Sequence, residues 1–256
     1  MRVCLLASGS KGNSIYIESR DTRLLIDAGL SATEVGVRLA SIGVTGDDLD
    51  ALLVTHEHTD HCQGVGPMAR RHRLPVYMHP ETLRGLPRLG RIADLVEFDA
   101  GDHFTVGDVA VEPFPITHDA AAPVGYLIDT PEGRIGVATD LGIATRLVAD
   151  RLQGCRVLVL ESNHDEDLLR DGPYPWHLKQ RIRSNHGHLS NRASAELLDG
   201  LLWDGLDAVF LAHLSETNND PGLAESCSRA VLDCQNRCRP QLIVGTQVHV
   251  SACFVA

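Results

Sequence analysis

Four short apolar runs in this sequence of 256 residues share one feature: each ends in a side chain that can bind a metal ion or titrate. Each run is as long as a strand, and its branched and leucine side chains suit a buried strand. Ligand sites in open α/β sheets lie outside the carboxyl ends of the strands. The sequence therefore predicts strand ends that converge on one polar site. The runs are 51–54, followed by Thr55 and His56; 135–138, followed by Thr139 and Asp140; 157–160, followed by Glu161; and 208–211, followed by Ala212 and His213.

The rest of the chain alternates strand-like runs with amphipathic stretches. Ser31 and Glu34 have the spacing of a capping box, in which two side chains satisfy free amides at a helix start. We expect further strands near 3–7, 14–18, 23–26, 109–113 and 124–129, and helices near 63–72, 142–152, 191–203 and 221–238. Apolar residues make up 43% of the chain, which is enough for a sizeable core. We therefore expect residues 1–256 to form a single α/β domain, with helices covering the sheets.

The net charge of −11 argues against a generally basic nucleic-acid-binding protein, although a local basic groove could survive within that total. We recognise no targeting signal and no apolar stretch of bilayer length, so we expect a cytoplasmic protein without a membrane partner. The seven cysteines are odd in number and form no tight framework, which favours reduced thiols. Cys234 and Cys238, in the expected last helix, could share a metal, but small buried side chains are the favoured interpretation.

The sharpest chemical signal is the hexapeptide His56-Glu57-His58-Thr59-Asp60-His61. Three imidazoles and an aspartate behind a buried strand need metal ions or hydrogen bonds, because desolvated polar groups are costly without partners. Imidazole nitrogen suits zinc, and carboxylate oxygen also suits manganese or magnesium. His56 and His58 can point at one ion, while Asp60 and His61 can reach a second ion or hold a water. A merely solvated loop is the less favoured alternative.

The hexapeptide fits the His-x-His-x-Asp-His motif of the metallo-β-lactamase superfamily, which the sequence resembles. Asp27 matches an early aspartate that supports the metal-binding loop. The resemblance implies a four-layer αββα sandwich with two divalent ions, Mn²⁺ or Zn²⁺, along one edge. It also implies the ligands: His56, His58, His118 and Asp140 for one ion, and Asp60, His61, Asp140 and His213 for the other.

A combination of peptides resembles, more narrowly, the bacterial YycJ (WalJ, VicX) family. The peptides are 7–14, 161–165, 172–181, 187–191 and 212–215. This resemblance implies a relation to ribonuclease J and tRNase Z, and a 5′→3′ exonuclease activity on DNA. The chain lacks room for the extra β-CASP domain of ribonuclease J, which argues against that enzyme itself.

The segment 187–191 also suits phosphodiester chemistry. It precedes a helical pattern, so Ser190 or Asn191 is a predicted N-cap, and a helix N-terminus offers free amides to phosphate. His188 could donate a proton to a leaving oxygen. In tRNase Z a similar segment does this, with a glutamate orienting the histidine, and Glu161 is the match here. Alternatively, Ser190 is only a helix cap and His188 is a surface residue.

A basic stretch with interleaved aromatic rings could bind nucleic acid, since cations contact phosphates and rings stack on unpaired bases. Its predicted contacts are Tyr174, Trp176, Lys179, Arg181 and Arg183. A second basic cluster, Arg70, Arg71 and Arg73, is more simply a solvated helix face. The glycine-containing loop 8–13 is interpreted as a tight turn rather than a phosphate contact. His164 either lies near the metals or caps its own loop.

We therefore predict a metal-dependent phosphodiesterase in which a bridging hydroxide attacks phosphorus in line, with Asp60 steering it. Nucleic acid, first of all DNA, follows as the substrate from the resemblance. A small-molecule hydrolase acting on an ester, thioester, lactone or cyclic phosphate is the alternative on the same fold, and a closed apolar pocket would favour it. A catalytically inactive regulatory or binding module is a further alternative, against which the intact ligand set counts.

Overall fold

A computed structural model describes residues 1–86 and 89–256 and shows, within them, two seven-stranded sheets with helices on their outer faces. The strands of the first sheet are β1 (Arg2–Ala7), β2 (Ser14–Glu18), β3 (Arg23–Ile26), β4 (Ala51–Leu53), β5 (Val76–Met78), β6 (Leu95–Glu97) and β14 (Phe254–Val255). Those of the second are β7 (Phe104–Val106), β8 (Val109–Pro115), β9 (Val124–Thr130), β10 (Gly133–Ala138), β11 (Val157–Glu161), β12 (Ala208–Ala212) and β13 (Gln241–Val244). The helices are α1 (Ala32–Ser41), α2 (Thr59–Cys62), α3 (Val65–His72), α4 (Pro80–Arg84), α5 (Arg146–Leu152), α6 (Glu166–Asp171), α7 (Trp176–Ile182), α8 (Asn191–Gly200) and α9 (Pro221–Asp233), and a short 3₁₀ helix covers Gly46–Asp48.

The two sheets repeat one plan. The first has the order β14-β1-β2-β3-β4-β5-β6, and the second the order β13-β12-β11-β10-β9-β8-β7. In each sheet, one half pairs antiparallel and the other half pairs parallel. The parallel strands β3 and β4 therefore end at the same edge of the first sheet, and β10, β11 and β12 at the same edge of the second.

Alternate residues of the strands face different layers, because side chains alternate along a strand. In β11, Val157 and Val159 belong to the core between the sheets, whereas Leu158 and Leu160 pack with residues of α5, α8 and α9. On the first sheet, Leu25 packs with residues of α1 and α3 on the outer face. These layers confirm the expected αββα sandwich.

Helix ends differ from the sequence prediction where caps intervene. Ser31 accepts a hydrogen bond from the Glu34 amide at 3.2 Å, but the Glu34 carboxylate pairs with Arg38 instead of completing the capping box. The helix expected from residue 142 starts only at Arg146, because the Thr145 side chain caps it. The helix expected to reach residue 238 ends at Asp233.

The cysteine predictions were partly wrong. Cys4 and Cys253 form a disulfide, because the fold lays the C-terminal segment beside β1 with the two Cα atoms 4.6 Å apart. Cys234 and Cys238 follow the last helix and share no face of it, and neither joins a potential metal group in the described part of the chain. None of the described helices has the length and apolar character needed to cross a membrane.

Candidate active site

The edge where the parallel strands end brings the predicted metal ligands together. The side chains form four groups, and within each group the ligand atoms lie within 4.8 Å of one another. They are His56, His58 and His118; Asp60, His61 and His213; His56, His61 and Asp140; and Asp140, Glu161, His188 and His213. The first two groups separate the histidines as two metal sites require, and Asp140 lies between them. Metal binding by the six side chains of these two groups and by Asp140 stays a prediction.

Asp140 faces histidines from both groups. Its Oδ2 lies 3.0 Å from His61 Nε2, and its Oδ1 lies 3.6 Å from His118 Nε2 and 3.5 Å from His213 Nδ1. This carboxylate could therefore contribute to both candidate ligand groups.

Partners outside the ligand groups orient the imidazole rings. Asp27 Oδ2 lies 2.7 Å from His61 Nδ1, and both Asp27 oxygens accept hydrogen bonds from Thr55. His118 Nδ1 lies 3.1 Å from the carbonyl oxygen of Gly187. A hydrogen bond to one ring nitrogen leaves the other free to bind a metal. Asp27 therefore contacts His61, and its role in supporting the metal-binding loop stays a prediction.

The donor set fits bound cations. His56 Nε2 and His213 Nε2 are buried and have no hydrogen-bond partner among the described residues. Asp140 Oδ2 is also buried, and its approach to His61 Nε2 does not form a hydrogen bond. Buried polar atoms of native proteins almost always have a partner. A divalent ion bound by imidazole nitrogen and carboxylate oxygen would satisfy all three atoms, and this combination suits Zn²⁺ or Mn²⁺.

The electrostatics of the site also favour a cation. Burial would lower the pKa of His213, but Asp140, Asp60 and Glu161 raise it to about 10. Burial and the nearby His61 hold the pKa of His56 well below its usual range, so its ring is neutral. The carboxylates thus stabilise positive charge at His213, while the neutral ring of His56 can bind a metal.

Three site residues adopt the left-handed backbone region, which non-glycine residues rarely occupy. Asp27, Asp140 and His213 have φ values of 59°, 55° and 56°, and each follows the end of a strand. Such a conformation costs about 1–3 kcal/mol and persists where surrounding contacts enforce it. The sharp turn directs these side chains along the edge of the sheet, and no residue type in the sequence indicated it.

Glu161 connects His188 to the candidate metal ligand His213. Its Oε1 lies 2.8 Å from His188 Nδ1 and 2.9 Å from His213 Nδ1, and its Oε2 accepts the amides of Leu141 and Leu189. Burial opposes its ionisation, but His188 and His213 hold the pKa of Glu161 at about 2. The sequence predicted the contact with His188. It did not indicate the contact with His213, which only the parallel pairing of β11 and β12 creates.

The basic stretch divides into two parts. Tyr174 and Arg181 line a cavity of about 250 Å³ over the ligands, and Arg181 pairs with Asp119 at 2.9 Å. Lys179, Arg183 and Trp176 are not among the lining residues. Lys179 Nζ instead donates to the carbonyl oxygens of Arg170 and Gly172, which anchors α7 to the end of α6.

The remaining predicted residues do not line the cavity. Ser190 caps α8 and bonds Glu166, and Asn191 is buried, bonding Ser162 and Asn219. Neither lines the cavity, because their side chains already serve the protein interior. His164 is also buried outside it, and burial lowers the pKa of its ring to about 4. Substrate binding by Ser190 and Asn191 has no support in this geometry.

Comparisons with known proteins agree with this architecture. The profile of a family described as a beta-lactamase superfamily domain matches residues 22–213. Exodeoxyribonuclease WalJ of Streptococcus pneumoniae is 39% identical over 225 residues, which cover 86% of this chain and 84% of that protein. Exodeoxyribonuclease YycJ of Bacillus anthracis is 39% identical over 234 residues, covering 90% and 88%. The metallo-beta-lactamase fold protein YhfI of Bacillus subtilis has a TM-score of 0.75 over 97% of this chain and 98% of its own, at 15% identity, a likeness of fold alone.

Proposed function

The chain belongs to the metallo-β-lactamase superfamily, within the family of the WalJ and YycJ exodeoxyribonucleases, and we propose that it degrades DNA from the 5′ end with two divalent ions. It is a metal-dependent hydrolase. The observation that carries the two-ion proposal is the pair of ligand groups, around His58 and around Asp60, with Asp140 between them. The ions, Mn²⁺ or Zn²⁺, would bind to the seven ligands named above.

When bound, two such ions supply a water-derived nucleophile at neutral pH and neutralise charge on the phosphate. The protein supplies the proton. His188 lines the cavity and is oriented through Nδ1 by Glu161, so its Nε2 can protonate the leaving oxygen. Asp60, whose Oδ2 lies 3.5 Å from His213 Nε2, would orient the attacking water as well as bind metal.

The lining of the cavity favours a phosphodiester over an apolar ester. Twelve of its sixteen lining residues are histidine, aspartate, serine, asparagine or arginine. Arg181 contributes a cation at its rim, and Tyr174 a ring on which a base could stack. A closed apolar pocket, which a small ester would require, is not what these residues form.

The direct test is an assay with end-labelled strands. In the presence of Mn²⁺ or Zn²⁺, a 5′-labelled DNA should release its label at once as a mononucleotide, while a 3′-labelled DNA should shorten progressively. Labelled RNA, a thioester and a lactone serve as comparison substrates. Rapid hydrolysis of the thioester or lactone, with intact DNA, would instead identify a small-molecule hydrolase. A metal-replete protein that cleaves none of them would indicate an inactive module.

The divided basic stretch leads to a second expected result. Replacing Arg181 with alanine should weaken DNA binding and reduce the slope of log K against log salt by roughly 0.7–0.9, the value of one phosphate contact. Its exposed pair with Asp119 is worth at most about 1 kcal/mol, so a phosphate can displace the carboxylate. Binding is measured by titration at several salt concentrations.

Matched variants distinguish the loss of this phosphate contact from the loss of a positive charge elsewhere on the surface. Arg229→Ala removes an exposed cation on α9 that pairs with Glu225, and should leave the slope unchanged. Lys179→Ala should lower the melting temperature, because Lys179 anchors the end of α6, and should leave the salt slope close to that of the wild-type protein. Equal slopes for Arg181→Ala and Arg229→Ala would show that Arg181 does not contact phosphate. Arg183→Ala then tests the remaining predicted cation.

A further inference from the structure

The loop between β1 and β2, Ser8 to Asn13, lies against the metal ligands rather than facing solvent as a simple turn. Ser8 is 2% exposed and Asn13 is 5% exposed, although both are polar and lie in a glycine-containing loop. The Asn13 side chain contacts Asp60 and His61, and the Ser8 hydroxyl contacts the backbone of His213. The proposed reaction assigns them no role.

The Asn13 amide is held in one orientation. Its Oδ1 accepts a hydrogen bond from the Gly9 amide at 2.9 Å, and its Nδ2 donates to the Gly9 carbonyl oxygen at 3.1 Å. Because Oδ1 is used in this way, only Nδ2 can face the site. It lies 3.4 Å from Asp60 Oδ2 and 3.0 Å from His61 Nε2.

The backbone of the same loop fixes the Asp60 turn. The Asn13 amide donates to the Asp60 carbonyl oxygen at 2.7 Å, and Gly29 donates to the Asn13 carbonyl oxygen at 2.8 Å. A β-carbon at Gly29 would lie 1.6 Å from the Asp60 carbonyl oxygen. The loop and the ligand turn are therefore packed in direct contact.

Ser8 acts on the third ligand of the same group. Its Oγ accepts a hydrogen bond from the His213 amide at 2.6 Å, where the His213 backbone is in the left-handed region. From the outer side, Gln247 accepts from the Lys11 amide and donates to the Gly12 carbonyl oxygen. The loop is thus clamped between the C-terminal segment and the ligands.

We propose that Asn13 and Ser8 are positioning residues of the metal site formed by Asp60, His61 and His213. Asn13 holds the Asp60 carboxylate through its amide donor, and Ser8 holds the His213 backbone in its unfavourable conformation. This inference rests on the proposed two-ion site. Outer partners of this kind typically change metal affinity by about 10–100-fold when removed.

Titration with Co²⁺ tests the proposal without using activity, since the visible spectrum of bound cobalt reports ligand geometry. The wild-type protein should bind two ions. In Asn13→Ala, affinity for one ion should fall by about 10–100-fold, with little change for the other. Ser8→Ala should lower the affinity for the same ion. Chelator competition gives both affinities.

Two further variants isolate the role. Asn13→Asp keeps an oxygen that can accept from Gly9 but loses the donor toward Asp60, so the cobalt spectrum should change. Lys11→Ala is the matched control, because its side chain is 73% exposed and pairs with Glu216. Asn13→Asp also provides the test if Asn13→Ala does not fold.

An Asn13→Asp protein with wild-type affinities and spectrum would overturn the proposal and leave Asn13 as a loop-closing residue. A wild-type protein that binds fewer than two ions would overturn it together with the two-ion site. Two bound ions without any cleavage of DNA would refute the proposed function while leaving the positioning role intact.

Discussion

Replacing Asp140 with alanine should release both metal ions and lower the rate of DNA cleavage by at least about 10³-fold. The carboxylate lies near His61 and His213 of one ligand group and near His118 of the other, so its loss affects both groups. Metal ions contribute several kcal/mol to such reactions, and each 1.36 kcal/mol corresponds to a factor of ten. Elemental analysis and single-turnover cleavage give the two quantities.

The matched control for Asp140 is Asp129→Ala. Asp129 lies in β9 of the same sheet but is exposed and pairs with Arg134. That variant should keep both ions and its activity. An Asp140→Ala protein that retains two ions at wild-type affinity would contradict the bridging position.

Replacing His188 with alanine should lower the cleavage rate by about 10²–10⁴-fold, the usual contribution of one proton donor, while both ions stay bound. His188 lines the cavity with its Nδ1 bonded to Glu161, and it is additional to the seven residues that complete the two proposed metal sites, so its Nε2 is proposed as the proton donor. The loss should shrink on a nitrophenyl phosphodiester, because that leaving group departs without protonation. Equal losses on both substrates, or loss of a metal ion, would refute the role of a general acid.

The structure changes what is expected of Glu161→Gln. From the sequence, this variant should cause a smaller loss of the same kind as His188→Ala. The same carboxylate, however, also bonds His213 and two backbone amides. We therefore expect Glu161→Gln to weaken metal binding as well as proton transfer, which elemental analysis of the two variants would distinguish.

Local patterns in the sequence predicted sheets covered by helices and several candidate ligands at strand ends. The four-layer sandwich and the full ligand set were implied by the resemblance to the superfamily. Apolar runs of strand length ended in Asp140, Glu161 or His213, and the chemistry of imidazole and carboxylate indicated metal ions. The order of these residues along the chain indicated the superfamily, and the profile match over residues 22–213 agrees with it.

Only the tertiary structure decided which groups orient the ligands. Glu161 meets His213 across 52 residues, and Asn13 meets Asp60 across 47, because parallel strand ends and the β1–β2 loop converge on one edge. Lys179 and Arg181 point to different sides of α7, because residues two apart on a helix are separated by roughly 200°. Only the tertiary structure shows that one side meets the end of α6 and the other lines the cavity. Hydrogen bonds of buried side chains depend on distances between segments remote in sequence, and no periodicity or spacing encodes those distances.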